Sequence, residues 1–330
     1  MSAPKILHPG KAAAMLTLAT LIWGASFLAM KALGQKQQDL VQSAGTWYVA
    51  ALSLLIRFGV AALVMGIWCG RKLRHITPLE FWQGAGLGFF GGVGTLFQMD
   101  GVQYIAASTS AFLTQCYCIL IPIMLALRYR KLPGKMLMAG CLMALAGVAI
   151  LSNIDLKTFR LGRGELESIL GSILFTGQIL WLERPVFHAN RNSVVTFIMF
   201  AVVGFLMLGV VGSTGSTPRQ WIAAYASGPA LGLIAFLALV GTLATYVIMN
   251  YWQPHLPATQ AGVIYCSEPL FTSLFALFVP GLLSSAFRIH YPNEALTAQL
   301  FFGGGLITAA NLLAMRAIVN PPPSSPRSSP

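Results

Sequence analysis

The chain has 330 residues, of which 56% are hydrophobic and only 9% charged, and its formal net charge is +12. A soluble domain carries about 25% charged residues, so this composition excludes a water-soluble globular protein. A basic nucleic-acid-binding domain is excluded as well, because the Lys and Arg residues sit mostly in short connections between apolar runs, where anionic lipid and topology account for them.

Residues 1–11 form a short N-terminal segment with Lys5 and Lys11 before an apolar stretch that begins at Ala12. Signal peptides share that arrangement. The length of the stretch, and the recurrence of its features later in the chain, predict a retained first span. The apolar runs are each about 20 residues long, enough to cross a ~30 Å hydrocarbon layer as a helix. The predicted spans are roughly 12–34, 46–69, 79–103, 107–127, 135–152, 165–187, 193–213, 229–253, 258–280 and 297–317. Gly84-Ala85-Gly86-Leu87-Gly88 and Gly303-Gly304-Gly305 lie inside spans and suit close helix packing in lipid. No Lys-Ser/Thr follows either run, so neither is a phosphate loop. The five cysteines, Cys69, Cys116, Cys118, Cys141 and Cys266, fall in or at the ends of apolar runs without a CxxC pair, and read as small packing residues. The Pro/Ser-rich tail, residues 319–330, is expected to be disordered.

With the N-terminus placed in the cytoplasm, thirteen Lys and Arg residues fall inside and seven outside or near it, with Arg57 within the second span. That bias predicts both termini in the cytoplasm. An internal repeat adds to the picture. At a shift of 147 residues, Val93-Gly94-Thr95-Leu96 falls on Val240-Gly241-Thr242-Leu243. In the same register Tyr104 meets Tyr251, Ala111 meets Ala258, Pro122 meets Pro269, and Pro133-Gly134 meets Pro280-Gly281. Thr77-Pro78 and Thr217-Pro218 each read as an N-cap followed by Pro at the first helical position. Each repeat holds five predicted spans, an odd number, so the second must enter the membrane from the opposite side. The expected fold is an all-α polytopic membrane protein with ten transmembrane helices in two inverted five-helix repeats, residues 12–152 and 153–318.

Trp23-Gly24-Ala25-Ser26, Arg57-Phe58, Gln103-Tyr104-Ile105-Ala106-Ala107-Ser108, Ile121-Pro122 and Glu268-Pro269 occur in that order along the chain. Their order and spacing, over about residues 12–318, resemble the EamA branch of the drug/metabolite transporter superfamily. The resemblance implies ten helices in a basket and a central cavity lined by spans 1, 3, 4, 6, 8 and 9. It also implies movement of small metabolites, often amino acids or amphipathic compounds. The family's Gly-Glu after the fourth span is replaced by Arg128-Tyr129-Arg130-Lys131, and after the ninth Asn293-Glu294 arrives only past the extra stretch 282–292.

Glu268 is the sharpest candidate. A carboxylate inside an apolar run needs water, a proton or a partner, and its repeat mate is Ile121. It reads either as a structural group bonded to backbone freed near Pro269, or as a substrate- or proton-binding group. Arg57 is the second costly charge and reads as a helix tether or an anion ligand. Lys31 and Glu183 read as interfacial anchors, and Asp100 as a rim residue. Polar and aromatic side chains at three- and four-residue steps mark a face that turns inward. The candidate binding or coupling set is Glu268, Tyr265, Asn250, Tyr246, Gln115, Gln98, Gln178, Trp181 and Trp23, with Pro122 and Pro269 as helix-break or gating points.

No HExxH, Cys/His cluster or Gly-x-Ser-x-Gly motif occurs, so neither a metal, a cofactor nor a catalytic residue is expected. The sequence predicts a secondary transporter of the bacterial inner membrane that works by alternating access. Its partners would be a small-molecule substrate and membrane lipid, with protons as a candidate coupling partner and no nucleic acid. A channel or facilitator for small polar solutes is the alternative.

Overall fold

The computed structural model describes residues 9–41, 45–105, 107–130, 134–151, 162–214 and 217–319. Most of the N-terminal segment 1–11, the connection 152–161 and the tail from residue 320 lie outside these residues. Every regular element among the described residues is a helix: α1 (Pro9–Leu40), α2 (Thr46–Cys69), α3 (Pro78–Tyr104), α4 (Ala107–Thr114), α5 (Tyr117–Tyr129), α6 (Lys135–Leu151), α7 (Arg163–Leu182), α8 (Asn192–Ser213), α9 (Pro218–Ala223), α10 (Gly228–Ala238), α11 (Thr245–Trp252), α12 (Ala258–Tyr265), α13 (Glu268–Ala276), α14 (Val279–Phe287) and α15 (Ala298–Val319). Short 3₁₀ turns follow α2, α7 and α11, and a π-helical segment, Leu239–Ala244, joins α10 to α11.

Helices occupy all ten stretches that the sequence marks as spans. Five segments among the described residues are long and apolar enough to cross a membrane: Pro9–Leu40, Thr46–His75, Ser110–Arg128, Asn192–Ser213 and Gly228–His255. A sixth results if Ala258–Ala276 and Val279–Phe287, bent by 58° at their junction, form one span. α3 and α7 are less apolar because they bury Gln83, Gln98 and Asp100 on one, and Ser168, Ser172, Thr176 and Gln178 on the other.

Local chemistry sets the helix ends. Both Thr-Pro sites form capping boxes: Thr77 Oγ1 accepts from Glu80 N while Glu80 Oε2 accepts from Thr77 N, and Gln220 Oε1 accepts from Thr217 N in the same way. Gly70 stops α2 with φ at +48°, a region that L side chains rarely enter.

The helix breaks do not fall on the two prolines in the same way. The first is at Gln115–Cys116, and Pro122 sits inside α5, more than a turn beyond it. The second is at Cys266–Ser267, with Pro269 in the first turn of α13. Proline lacks an N–H and crowds the carbonyl four residues earlier, so each loosens the turn that precedes it.

α2 runs along α8, and α6 along α15. α3 is gripped from two sides. A Cβ built on Gly84, Gly88 or Gly92 would fall 2.6 Å from Ile198 Cβ, 2.9 Å from the Met199 carbonyl or 2.8 Å from Val203 Cγ2, all on α8. A Cβ on Gly91, Gly94 or Gly101 would crowd Gln178, Phe175 or the Gly164 carbonyl on α7. Glycine is what permits this approach.

Candidate functional site

The inward faces of these helices line a narrow, partly open cavity. α1 contributes Trp23, Ser26, Phe27 and Met30; α3 contributes Thr95 and Gln98; α4 and α5 contribute Thr114 and Tyr117. From the other half come Phe175, Gln178 and Ile179 of α7, Tyr246 and Met249 of α11, Tyr265 of α12 and Glu268 of α13. These are the six stretches that the resemblance implies, with one addition, Arg57 of α2.

One wall is aromatic. Trp23 packs edge-on against Tyr246 and Tyr265, with ring centroids 5.7 and 5.8 Å apart, and Tyr117 meets Tyr265 at 6.5 Å. Tyr265 gives its hydroxyl to Gln253 Oε1 at 2.9 Å, and Gln253 in turn bonds the Ile179 carbonyl at 3.1 Å. That fixes the ring at the cavity edge with its apolar face inward.

Glu268 opens α13 immediately after the second break, and its carboxylate Oε2 accepts from Gln115 Nε2 at 3.1 Å. Gln115 lies in the first break. The partner of the carboxylate is thus a side chain from the other half rather than backbone freed around Pro269. Gln115 Oε1 is buried without a donor among the described residues, so the amide is committed to Glu268.

Arg57 is 3% exposed. Nε donates to Thr242 Oγ1 at 3.0 Å and Nη1 meets the Met30 sulfur at 3.2 Å. No carboxylate pairs with it among the described residues. Its partner Thr242 stands in the π-helical segment, where Thr245 Oγ1 covers the loosened Gly241 and Thr242 carbonyls at 2.8 and 3.3 Å. π turns concentrate at functional sites. The cavity therefore holds one buried cation and one buried carboxylate that do not neutralise each other.

The structure brings together Trp23, Gln98, Gln178, Tyr246, Tyr265 and Glu268 from the predicted set, with Gln115 behind Glu268. Two members lie elsewhere. Asn250, one turn beyond Tyr246, donates to Thr196 Oγ1 at 3.0 Å and ties α11 to α8. Trp181, near the end of α7, gives its indole N–H to the Gln83 carbonyl at 3.2 Å and lies under Arg184, whose guanidinium is 4.5 Å from the ring centroid. Both are on the right helices but a turn too far along. Arg57, Thr95, Thr114 and Tyr117 line the cavity outside the predicted set, and Gln253 holds Tyr265 from outside the cavity. The signal for Arg57 was its charge inside an apolar run; Gln253 carried none beyond being a polar residue near a span end.

Residues 10–153 match the EamA-like transporter family. An uncharacterized transporter of Archaeoglobus fulgidus is 23% identical over 298 residues, covering 90% of this chain and 83% of that protein. A solved crystal structure, 18% identical in sequence, superposes with a TM-score of 0.66 over 93% of this chain and 97% of its own.

Proposed function

From the match of residues 10–153 to the EamA-like transporter family, we propose that this chain is a secondary carrier for a small amphipathic metabolite. The chain is a multi-pass membrane protein; the reading goes further to ten spans in two inverted five-helix repeats, residues 12–152 and 153–318. It places both termini in the cytoplasm of a bacterial inner membrane. The observation that carries the reading is the cavity itself, walled by both halves and furnished with an unpaired Arg57, an aromatic wall and Glu268. A substrate with an apolar body and a charged end of either sign would find a complement there. Alternating access would come from relative movement of parts around this cavity, with Glu268 contributing to substrate or proton binding.

Several relationships support the inverted repeat. The pairs α2 with α8 and α6 with α15 join repeat mates. α3 against α7 corresponds to α10 and α11 against α1. Gly94 and Gly241, matched in sequence, admit a residue of α7 and of α1 respectively. Lys31, in the second half of α1, bonds the Ile105 carbonyl where α3 meets α4; Glu183 at the end of α7 accepts from Ala258 N where α11 meets α12. The two anchors are thus helix-end contacts in corresponding places, each with the charge suited to the helix end it meets.

Counterflow in proteoliposomes tests the carrier. Vesicles preloaded with a compound that the protein exports from cells should concentrate labelled tracer of the same compound transiently. Unitary currents in planar bilayers, with no counterflow, would replace the carrier by a channel.

A further inference from the structure

At the far end of α3 from its capping box, outside the cavity, two carboxylates share one guanidinium. Arg163 Nη2 donates to Asp100 Oδ2 at 2.6 Å, and its Nε to Glu167 Oε1 at 2.8 Å. The guanidinium stacks on Tyr104, 4.7 Å from the ring centroid, and its side chain is 44% exposed. The carboxylates beneath it are not: Asp100 is 0% exposed and Glu167 6%. Asp100 is therefore no rim residue. Position 101 explains the depth, because glycine there lets α3 approach α7 until a Cβ would stand 3.0 Å from the Gly164 carbonyl and 3.2 Å from Glu167 Cβ.

The second oxygens decide the chemistry. Asp100 Oδ1 and Glu167 Oε2 are both cut off from solvent and have no hydrogen-bond donor among the described residues. Held by two nitrogens of one guanidinium, the two carboxyl groups sit side by side. Ionised carboxylates only accept, so two of them facing each other in a dry site leave both oxygens unsatisfied and repel. One proton between them satisfies both oxygens and balances the charge against Arg163. Among the described residues, the other ionisable groups nearby supply no substitute. On α7, Glu165 folds back over Gly162. On α1, Lys31 spends its ammonium on the Ile105 carbonyl. α4 carries no ionisable residue, and Tyr104 of α3 lies under the guanidinium. A bound metal cation would need several oxygens, and among the described residues only these two buried side-chain oxygens at the site lack a donor.

We infer that Asp100 and Glu167 form a proton-binding site, holding one proton between Asp100 Oδ1 and Glu167 Oε2, distinct from Glu268. A string of polar groups runs from it to the cavity. Ser168, beside Glu167, meets the Ser110 hydroxyl at 3.0 Å; the Ser110 carbonyl accepts from Thr114 Oγ1 at 2.8 Å; and Thr114 lines the cavity. The use of the site in coupling rests on the carrier reading. The occupied pair holds α3 against α7, and loss of the proton sets two negative charges against each other at that contact.

Infrared difference spectroscopy on the full-length protein in nanodiscs, between acidic and alkaline buffer, reads the proton directly. The expected result is a protonated-carboxyl C=O band, persisting at neutral pH, that disappears in Glu167→Gln and in Asp100→Asn alike and remains in Glu268→Gln. Aspartate occurs at only three positions, 39, 100 and 155, so labelling the parent protein with ¹³C-aspartate gives a readout that needs no variant: part of the band must shift. A band indifferent to the label, or one removed by sodium at constant pH, overturns the inference. Failure of counterflow would end the carrier reading and leave this band in place, and an absent band would leave counterflow untouched.

Discussion

Gln115 and Glu268, 153 positions apart, meet at 3.1 Å across two helix breaks, one in each half of the chain. Each break supplies what the other lacks: the first presents an amide, the second a carboxylate at the mouth of a new helix. The contact joins the two halves of the chain, and it carries the first prediction.

Glu268→Gln keeps one acceptor oxygen and adds donors, so the variant should insert and reach the membrane at parental abundance. Transport driven by a pH gradient should fall by tenfold or more, while exchange of substrate for substrate persists. Uptake measured across a pH series at matched abundance checks this; parental activity at every pH would leave Glu268 a structural group.

Arg57→Lys is not a conservative change, because lysine cannot reproduce the planar fork that faces Thr242. It should raise KM at least tenfold, equivalent to about 1.4 kcal/mol, for substrates with an anionic end. Substrates without one should be affected much less. Initial-rate kinetics with an acid and its methyl ester separate the two cases; an equal loss on both would make Arg57 a tether for the π-helical segment instead.

Gly88→Val places branched carbon against the Met199 carbonyl and Val202, each 2.9 Å from a built Cβ. Overpacking of this kind costs about 1–3 kcal/mol. The variant should melt at a lower temperature in detergent, and Gly305→Ala, where nothing lies within 4 Å, should not. A thermal shift assay on both decides it.

Phosphatase and fluorescent-protein fusions after residue 318 test the side assignment. The thirteen-to-seven distribution of Lys and Arg predicts a fluorescent, phosphatase-silent fusion there. Phosphatase activity would overturn both the orientation and the even number of spans.

Much of the helical layout was legible because apolar run length and Thr-Pro capping are local properties, fixed by residues close in sequence. Thr77 with Glu80 and Thr217 with Gln220 are examples. The cavity was legible as a set of helix faces, since polar residues inside apolar runs must turn away from lipid. What could not be read was depth along those faces. Asn250 shares a face with Tyr246, yet one turn separates a cavity wall from a contact with α8. Asp100 looked peripheral by position and is buried, because its exposure depends on the glycine contact with a helix more than sixty residues away. Pro122 marks loosened backbone, but the turn it loosens is the one before it.

The glycine faces of α3 carry a consequence for what can move. Helices held at backbone contact on two sides cannot slide without opening gaps, so any movement is expected to keep α3, α7 and α8 together. In the corresponding place, α10 and α11 lie against α1 and α2. Each half of the sequence thus packs a long helix against helices of the other half, and this packing cuts across the two halves of the chain. The cavity lies between these two groups of helices, with Gln98 and Gln178 on one and Trp23, Arg57 and Tyr246 on the other. The two broken helices, belonging wholly to neither, are left as the couplings between them.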